Sequence, residues 1–547
     1  MEARRTPATL LDLVDGAMTR YADRPAVGLW LEHGLAERWT YRELDRRARV
    51  AAWRLRELGL EPGDRLLTWA PSSPALAAVY LGAIRARLIL VPLDLRMSAD
   101  AVAGIRARAQ PRLLAFDPGP DGPTDGPAFD ALAGLSRVSI VDLVAEPDPG
   151  IGAGPADPRP TAAQADPPAD WAAQVAAWER PRPGDVWDLI FTSGTTGTPK
   201  GVMIAHDNLV ATIEAIHRII PPLEHRILSV LPLSHLFEQA IGLLYALDVG
   251  ADILYVRSRN PRVIFDALRA HRVTSMIAVP QVLDLFWSAI EREVERSGRT
   301  ATFERLRRIA RHLPYPARRR LFGQVHRRLG GSLQLFVSSG AFLPPALQQA
   351  WEDLGVTVIQ GYGSTENGFG TCNTREDHGL GTVGRPVPPV ELRIGDDGEV
   401  LFRGPTLFKG YWHDPEATAR AIDPEGWYHS GDLGHVDASG RLVLSGRTKD
   451  RIVLPNGFNV YPEDIENALR NAGVRDAIVL ETAPGRIEAV VLPAAADGVA
   501  AAIRTANAML GPNQRLAGWR PWPDDDFPRT HTLKIRRDDV RRGLGLG

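Results

Sequence analysis

Twelve consecutive residues, IFTSGTTGTPKG from Ile190 to Gly201, hold five hydroxyl side chains, three glycines and a single charge, Lys200. Thr192, Ser193, Thr195, Thr196 and Thr198 can bond phosphate oxygens, and Lys200 can add a point charge. Gly194 and Gly197 let the backbone close over an anion. A Walker loop, G-x-x-x-x-G-K-[ST], would hold phosphate in a cradle of amides. Counted from Gly194, this stretch has Pro199 where the second glycine belongs and Gly201 where the metal-binding hydroxyl belongs. Proline removes an amide donor and fixes φ, so the Walker geometry is spoiled while the hydroxyls and the lysine remain. A polar hairpin between two strands would share this composition.

Three later stretches add chemistry of other kinds. GYGSTENG, 361–368, offers an aromatic face for a base, a hydroxyl for an oxyanion and a carboxylate for a hard cation. WYHSGDLG, 427–434, offers Asp432, whose carboxylate can accept from two vicinal hydroxyls of a ribose. PRTHTLKIRRDDV, 528–540, places Lys534 in a basic tail, where a lysine alone would be read as solvated.

FTSGTTGTPKGV closely resembles the phosphate loop of the adenylate-forming superfamily: acyl-CoA synthetases, peptide-synthetase adenylation domains and firefly-type luciferases. The other stretches resemble further motifs of that family, in the family's order. The resemblance covers nearly the whole chain. It implies that Tyr362 stacks on adenine, with Gln360, Gly361 and Gly363 around it, and that Thr365 bonds the α-phosphate. Glu366 would hold Mg²⁺ together with Ser193. SSGAFL would bring Gly340 and Ala341 near adenine, and LPLSHLFEQ would set His235 beside the acid. GEVLFRGPTLFKGYW, 398–412, matches a further segment. Asp432 would bond ribose, Arg447 ribose or phosphate, and Lys449 would stand at a hinge. Lys534 would be the catalytic lysine, with Thr195 and His235 also at the reacting centre. Gly457, Phe458 and Asn459 would approach the channel of CoA. Departures from the family pattern fall in the last part: Val453 where many members have lysine, Leu454-Pro455-Asn456 for a glycine-rich run, and Leu533 for glycine.

The implied reaction has two steps. A carboxylate attacks the α-phosphate of ATP, releasing pyrophosphate, and a thiolate then attacks the acyl-adenylate and releases AMP. Two anions must meet, so cations are the catalytic resource. Relatives that activate amino acids hold the ammonium with Asp in an F-D-x-S context, which SHLFEQAIGLLYALDVG lacks. An apolar acid follows, and a medium- to long-chain fatty acid is the best match, with VPQVLDLFWSAI supplying apolar residues to a chain tunnel. The alternatives are loading of a carrier-protein phosphopantetheine and activation of an aryl or other small acid.

These residues need a scaffold. The chain has 547 residues, too many for a single core, so two or more domains are expected. Strands RLLTWA, LILVPL and RLLAF alternate with helical patterns near 42–59, 71–87 and 99–109, which predicts an α/β fold with doubly wound parallel sheets. Short β runs with Asp-Gly turns over 390–446 predict an antiparallel subdomain, and a small α+β domain joined by a hinge should follow. The expected division is 1–447 and 448–547, with a Pro-, Gly- and Ala-rich solvated connector over 117–183.

A net charge of −2 argues against bulk nucleic-acid binding. The lone Cys372 excludes an internal disulfide and suits the cytosol. The N-terminus reads as an amphipathic helix rather than a signal peptide, and no apolar run is long enough to span a membrane. Nine arginines between 303 and 331 read as a solvated basic face. The sharper reading is a landing site for a membrane surface or an anionic carrier.

Overall fold

A computed structural model describes residues 6–145, 168–192, 199–258, 260–455, 458–474, 476–493, 498–529 and 535–546. In chain order the first strands are β1 Pro25–Leu31, β2 Gly34–Thr40, β3 Arg65–Trp69, β4 Ile89–Pro92, β5 Leu113–Phe116 and β6 Arg137–Ser139. Next come β7 Val186–Thr192, β8 Lys200–Ala205, β9 Arg226–Ser229, β10 Asp252–Val256, β11 Ser275–Ala278, β12 Leu335–Ser338 and β13 Thr357–Tyr362. Then follow β14 Thr371–Cys372, β15 Arg385–Pro386, β16 Glu391–Ile394, β17 Glu399–Arg403, β18 Tyr428–Val436 and β19 Leu442–Arg447. The last are β20 Ile452–Val453, β21 Asn459–Val460, β22 Ala477–Ala483, β23 Arg486–Val491 and β24 Gly518–Pro521.

The sheet orders are 6-5-3-4-7-8, 15-14-13-12-11-9-10-1-2 and 16-17-18-19, with a small 20-21 pair and a 22-23-24 sheet. The centres of the two large sheets are parallel, and antiparallel pairs close their edges at β7–β8, β1–β2 and β13–β14–β15. The predicted doubly wound α/β body and the antiparallel subdomain are both present.

Alternation along the strands builds the layers. Leu66 and Leu90 point into the core shared by the two large sheets, whereas Leu67 and Val91 point outward to the helix Ala99–Ala109. Likewise Ile253 and Tyr255 face the shared core, and Leu254 and Val256 face the helices of the opposite surface. The helix Pro74–Ala86 lies wholly in the shared core, with every residue buried. It begins at the Ser73 cap with Pro74 at its first position. The helix Tyr41–Glu57 opens on a capping box in which Thr40 and Glu43 bond each other's amides.

The C-terminal elements form a core of their own. Ala477, Val479, Ala489 and Val491 pack on one face of the β22–β24 sheet, while Ile478, Leu480 and Val490 meet Trp522, Phe527 and Val540 on the other.

One expectation is corrected here. The expected connector is not solvated over 137–145, where the strand-like run VSIVDLV lies: β6 pairs with β5, and Ile140, Leu143 and Val144 of a short helix are buried in the shared core. Arg47 and Arg54 of the Tyr41–Glu57 helix hold the carbonyls of Val144 and Ala145 at 3.1 and 2.7 Å. Residues 146–167 lie outside the described residues. Among the described residues no helix is long and apolar enough to cross a membrane.

Candidate active site

The β7–β8 hairpin carries the hydroxyl-rich loop, with Thr192 and Lys200 opposite each other at its mouth. Ser193, Gly194, Thr195, Thr196, Gly197 and Thr198 lie outside the described residues. Residues 409–412 run alongside β8: the Trp412 amide donates to Gly201 O at 2.8 Å and the Lys409 amide to Met203 O at 2.9 Å. That pairing sets the Tyr411 ring 4.9 Å below the Lys200 ammonium. The Tyr411 hydroxyl donates to Glu366 Oε1 at 3.2 Å. A lysine from the phosphate hairpin and a carboxylate from another sheet are thus joined through one phenol.

Glu366 stands on a tight turn that follows β13. The Ser364 amide donates to Asn367 Oδ1 at 2.6 Å, the Asn367 amide to Ser364 Oγ at 3.2 Å, and the Gly368 amide to Ser364 O at 3.0 Å. A Cβ on Gly363 would stand 2.2 Å from Gly368 O, so only glycine fits there. The turn presents Thr365 and Glu366 at the C-terminal end of the parallel strands, the edge where such sheets bind ligands. Burial pushes the Glu366 carboxyl above its ordinary range, and bonds from its own amide, Tyr411 and Ser364 offset only part of that. Mg²⁺ takes one or two protein carboxylates and completes its octahedron with water and phosphate oxygens. A single half-buried carboxylate joined through Tyr411 to Lys200 fits that mode. Among the described residues no cluster of three or more carboxylate, histidine or cysteine side chains offers a dedicated cage.

The end expected to meet ribose is built differently. Asp432 on β18 is 8% exposed and sits opposite Arg447 of β19, whose Nε lies 3.0 Å from Oδ1. The Tyr362 hydroxyl donates to Asp432 Oδ2. Tyr362 therefore has a task beyond the adenine contact expected of it, and its ring packs at 5.7 Å against Phe402. Asp432 attracts positive charge and raises Arg447 above its ordinary value. A carboxylate has about four acceptor positions, so Asp432 can still accept from a diol. Gly340 and Ala341 follow β12, one strand away from Gln360 and Gly361 of β13. Gln360 is buried, and its Oε1 has no hydrogen-bond partner among the described residues.

His235 lies on the acid side of the site. Its Nε2 is 3.3 Å from Asp94 Oδ2, and Asp94 is 2% exposed at the end of β4. Burial would raise the Asp94 carboxyl, but hydrogen bonds from His235 and Arg96 outweigh it and hold it well below the usual range. The Ser72 hydroxyl ties the segment down, donating to Leu231 O at 3.1 Å and accepting from the Leu233 amide at 3.0 Å. After His235 the chain enters a π-helix, Glu238–Tyr245, with every residue buried. Glu238 accepts from Ser229 Oγ at 2.5 Å, and burial pushes its carboxyl up to about 8. A Cβ on Gly242 would meet Glu238 Oε1 at 2.2 Å, so the glycine makes room for that buried acid.

The expected chain tunnel is corrected. Leu283, Phe286 and Trp287 of VPQVLDLFWSAI are buried in the outer core, where Trp287 packs on Trp351 at 5.8 Å and Phe286 on Phe265 at 5.1 Å. They are engaged in packing rather than lining a channel.

In the C-terminal part, Lys449 is exposed on the single turn Thr448–Asp450. Phe458 is 44% exposed beside β21, which Asn459 opens, and Gly457 lies outside the described residues. Lys534 also lies outside them, between Arg529 and Ile535, which form an isolated antiparallel bridge. Arg537, just after, reaches Glu466 at 2.7 Å and Asp450 at 3.9 Å.

Sequence reasoning missed three positioning residues: Tyr411, Asn367 and Asp94. The first two lie inside quoted motifs. Asp94 carries no local signal, because its partner is far away in the chain.

Comparison with known proteins agrees with this arrangement. A 3-[(3aS,4S,7aS)-7a-methyl-1,5-dioxo-octahydro-1H-inden-4-yl]propanoyl:CoA ligase of Mycobacterium tuberculosis is 34% identical over 474 residues, covering 81% of each chain. The long-chain-fatty-acid–CoA ligase FadD15 of Mycobacterium bovis is 30% identical over 555 residues, covering 92% of this chain and 90% of its own. The amide bond synthetase McbA of Marinactinospora thermotolerans has the same fold at a TM-score of 0.75 and 24% identity, covering 98% of this chain and 99% of its own. The model of the AMP-binding enzymes matches residues 14–412, so the hairpin, the Glu366 turn and the Tyr411 strand all fall within it, and the chain belongs to that family.

Proposed function

We propose that this chain activates an apolar carboxylic acid, a medium- to long-chain fatty acid, as its acyl-adenylate and passes the acyl group to CoA. The observation that carries the reading is the Lys200–Tyr411–Glu366 connection, which joins the phosphate hairpin to the carboxylate turn. AMP-forming ligation of an acid to CoA is the coarser statement that family membership supports. The fatty acid is the finer one, supported by the FadD15 relative and by the burial of every residue of the π-helix Glu238–Tyr245 after His235.

In the first step a carboxylate oxygen bonds to the α-phosphorus and the bond to pyrophosphate breaks. Lys200 and the loop hydroxyls hold the leaving pyrophosphate, Thr365 bonds the α-phosphate, and Asp432 with Arg447 fixes the ribose. Glu366 would hold Mg²⁺, which supplies charge neutralisation when bound. Lys534 offsets the charge on the pentacovalent phosphorus. His235, steadied by Asp94, orients the acid. In the second step the CoA thiolate bonds to the acyl carbon and AMP leaves as its phosphate oxygen takes the electron pair. The segment after 447 turns about Lys449 between the steps, withdrawing Lys534 and bringing Phe458 towards the thiol. Support for that motion is its separate core and the exposed single turn at Thr448–Asp450. The Arg-rich segment 303–331 could bring the enzyme to an anionic surface.

A second reading, a ring-bearing acid, draws on the indenyl-propanoyl:CoA ligase relative. The test is a panel of fatty, aryl and polycyclic acids with ATP and either CoA or a phosphopantetheine carrier protein, recording pyrophosphate and thioester. Best turnover of fatty acids with CoA is expected. Preference for a ring acid or for the carrier protein would replace the finer reading, and orthophosphate in place of pyrophosphate would remove the coarser one.

A further inference from the structure

The arginines between 303 and 331 do not share one role. Arg307 pairs with Glu304 at 2.9 Å and Asp353 at 3.2 Å, Arg311 with Asp353 at 3.1 Å, and Arg328 with Glu293 at 2.9 Å. Those charges are balanced. Arg319 instead donates to the carbonyls of Leu333 and Gly331, and burial without a carboxylate beside it lowers its hold on the proton. Arg319, Arg320 and Arg327 make no ion pair among the described residues, and neither does Arg375.

These four arginines line one cavity of about 620 Å³, together with Tyr315 and His326. No aspartate or glutamate lines it. The Tyr315 ring holds the Arg375 guanidinium over its face at 5.5 Å. His326 is 4% exposed, and its Nε2 donates to Leu354 O at 2.7 Å. Its Nδ1 is buried with no partner among the described residues. Burial holds the ring neutral, and an anion in the cavity would favour a second proton there, making Nδ1 a donor.

The cavity opens where β12 and β13 begin, and the candidate active site lies where the same strands end. We infer that this cavity is a second binding site, for a ligand bearing phosphate groups, separate from the acid-activating site. Phosphate fits better than a lone carboxylate. Its several oxygens can meet more than one guanidinium fork, and more than one negative charge is needed to balance four arginines. The volume is that of a small-molecule site or a lipid headgroup. The phosphate could come from a soluble polyphosphorylated compound or from an anionic bilayer, and the chemistry is the same.

The test uses the full chain and the double variant Arg320→Ala/Arg327→Ala, at physiological ionic strength. Both side chains are exposed and lie outside the acid-activating machinery, so ATP–pyrophosphate exchange should stay at the wild-type level. Calorimetric titration with tripolyphosphate should show one more site in the wild type than in the variant, or at least a tenfold loss of affinity at that site. Phosphatidylcholine vesicles with and without phosphatidylglycerol test the other source by co-sedimentation. Loss of tripolyphosphate binding in the variant assigns a soluble ligand. Loss of phosphatidylglycerol-dependent sedimentation alone assigns a headgroup. Identical behaviour of wild type and variant with both probes overturns the inference.

Discussion

The two carboxylates of the candidate site, Asp432 and Glu366, are prepared in opposite ways. Asp432 lies between a guanidinium and a phenol, and its charge is balanced before any nucleotide arrives. Glu366 is half-buried, and the bonds from Tyr411, Ser364 and its own amide offset only part of the desolvation that raises its carboxyl. The first end is organised for shape, because two donors are already fixed around the Asp432 carboxylate. The second is organised for charge, because the carboxylate becomes comfortable only when positive charge joins it. An enzyme that must bring two anions together benefits from both: a rigid nucleoside seat and an unmet demand for a cation.

Four changes would break or sharpen this contrast. The largest effect is expected from Lys534→Ala, which leaves both carboxylates in place. Carboxylate-dependent ATP–pyrophosphate exchange should fall by about 100- to 1000-fold. Thioester formation from supplied acyl-AMP should survive in part, and equal loss of both half-reactions would remove the lysine from the first step. Next is Glu366→Gln. It should raise the Mg²⁺ concentration needed for exchange by about tenfold or more. In the wild type, Mg-ATP affinity should weaken as pH falls through the raised Glu366 pKa, because the ion needs the deprotonated form. The variant should lose that pH dependence, and an unchanged profile would count against Glu366 as the ligand.

Asp432→Asn should raise the KM for ATP by about 10- to 100-fold, the cost of hydrogen bonds to a charged group, with no shift in Mg²⁺ requirement. A shift in both would mean that the two ends act as one. The smallest effect belongs to Tyr411→Phe, which removes one neutral donor from Glu366 and should cost less than about tenfold in exchange rate.

A stability measurement separates a third kind of carboxyl from these two. Glu238 is pushed from an ordinary value near 4.5 up to about 8. Between those values the folded protein holds a proton that the unfolded chain has lost, so stability falls as pH rises through that window. Glu238→Gln should therefore raise Tm more at pH 8 than at pH 5, and an equal change at both would exclude this origin.

Much of the arrangement could be read from local sequence, because the motifs lie on short strands and the turns next to them, where neighbours in sequence are neighbours in space. GYGSTENG follows β13 directly, and Asp432 and Arg447 face each other across one hairpin. What could not be read is contact between distant segments. His235 meets Asp94 and Lys200 meets Tyr411 only after separate sheets have packed. The Tyr362 hydroxyl goes to Asp432 for the same reason. Composition misled over 137–145, where a Pro-, Gly- and Ala-rich setting suggested solvent although a three-residue strand and the buried side chains of Ile140, Leu143 and Val144 anchor the segment. Apolar patterning could not separate a tunnel wall from a core, and Phe286 and Trp287 are core.

The turn at Gly363 has a consequence for heritable variation. The backbone there leaves no room for even one carbon beyond Cα, since Gly368 O occupies that space. No gradual series of side chains leads away from this turn, so drift is blocked at the position that aims Thr365 and Glu366. The segment after His235 meets the same kind of limit at Gly242, where a Cβ would reach Glu238 Oε1 at 2.2 Å. A lineage built on this frame therefore inherits the Gly363 turn, and with it the placement of Thr365 and Glu366, as a single unit that is kept or lost whole.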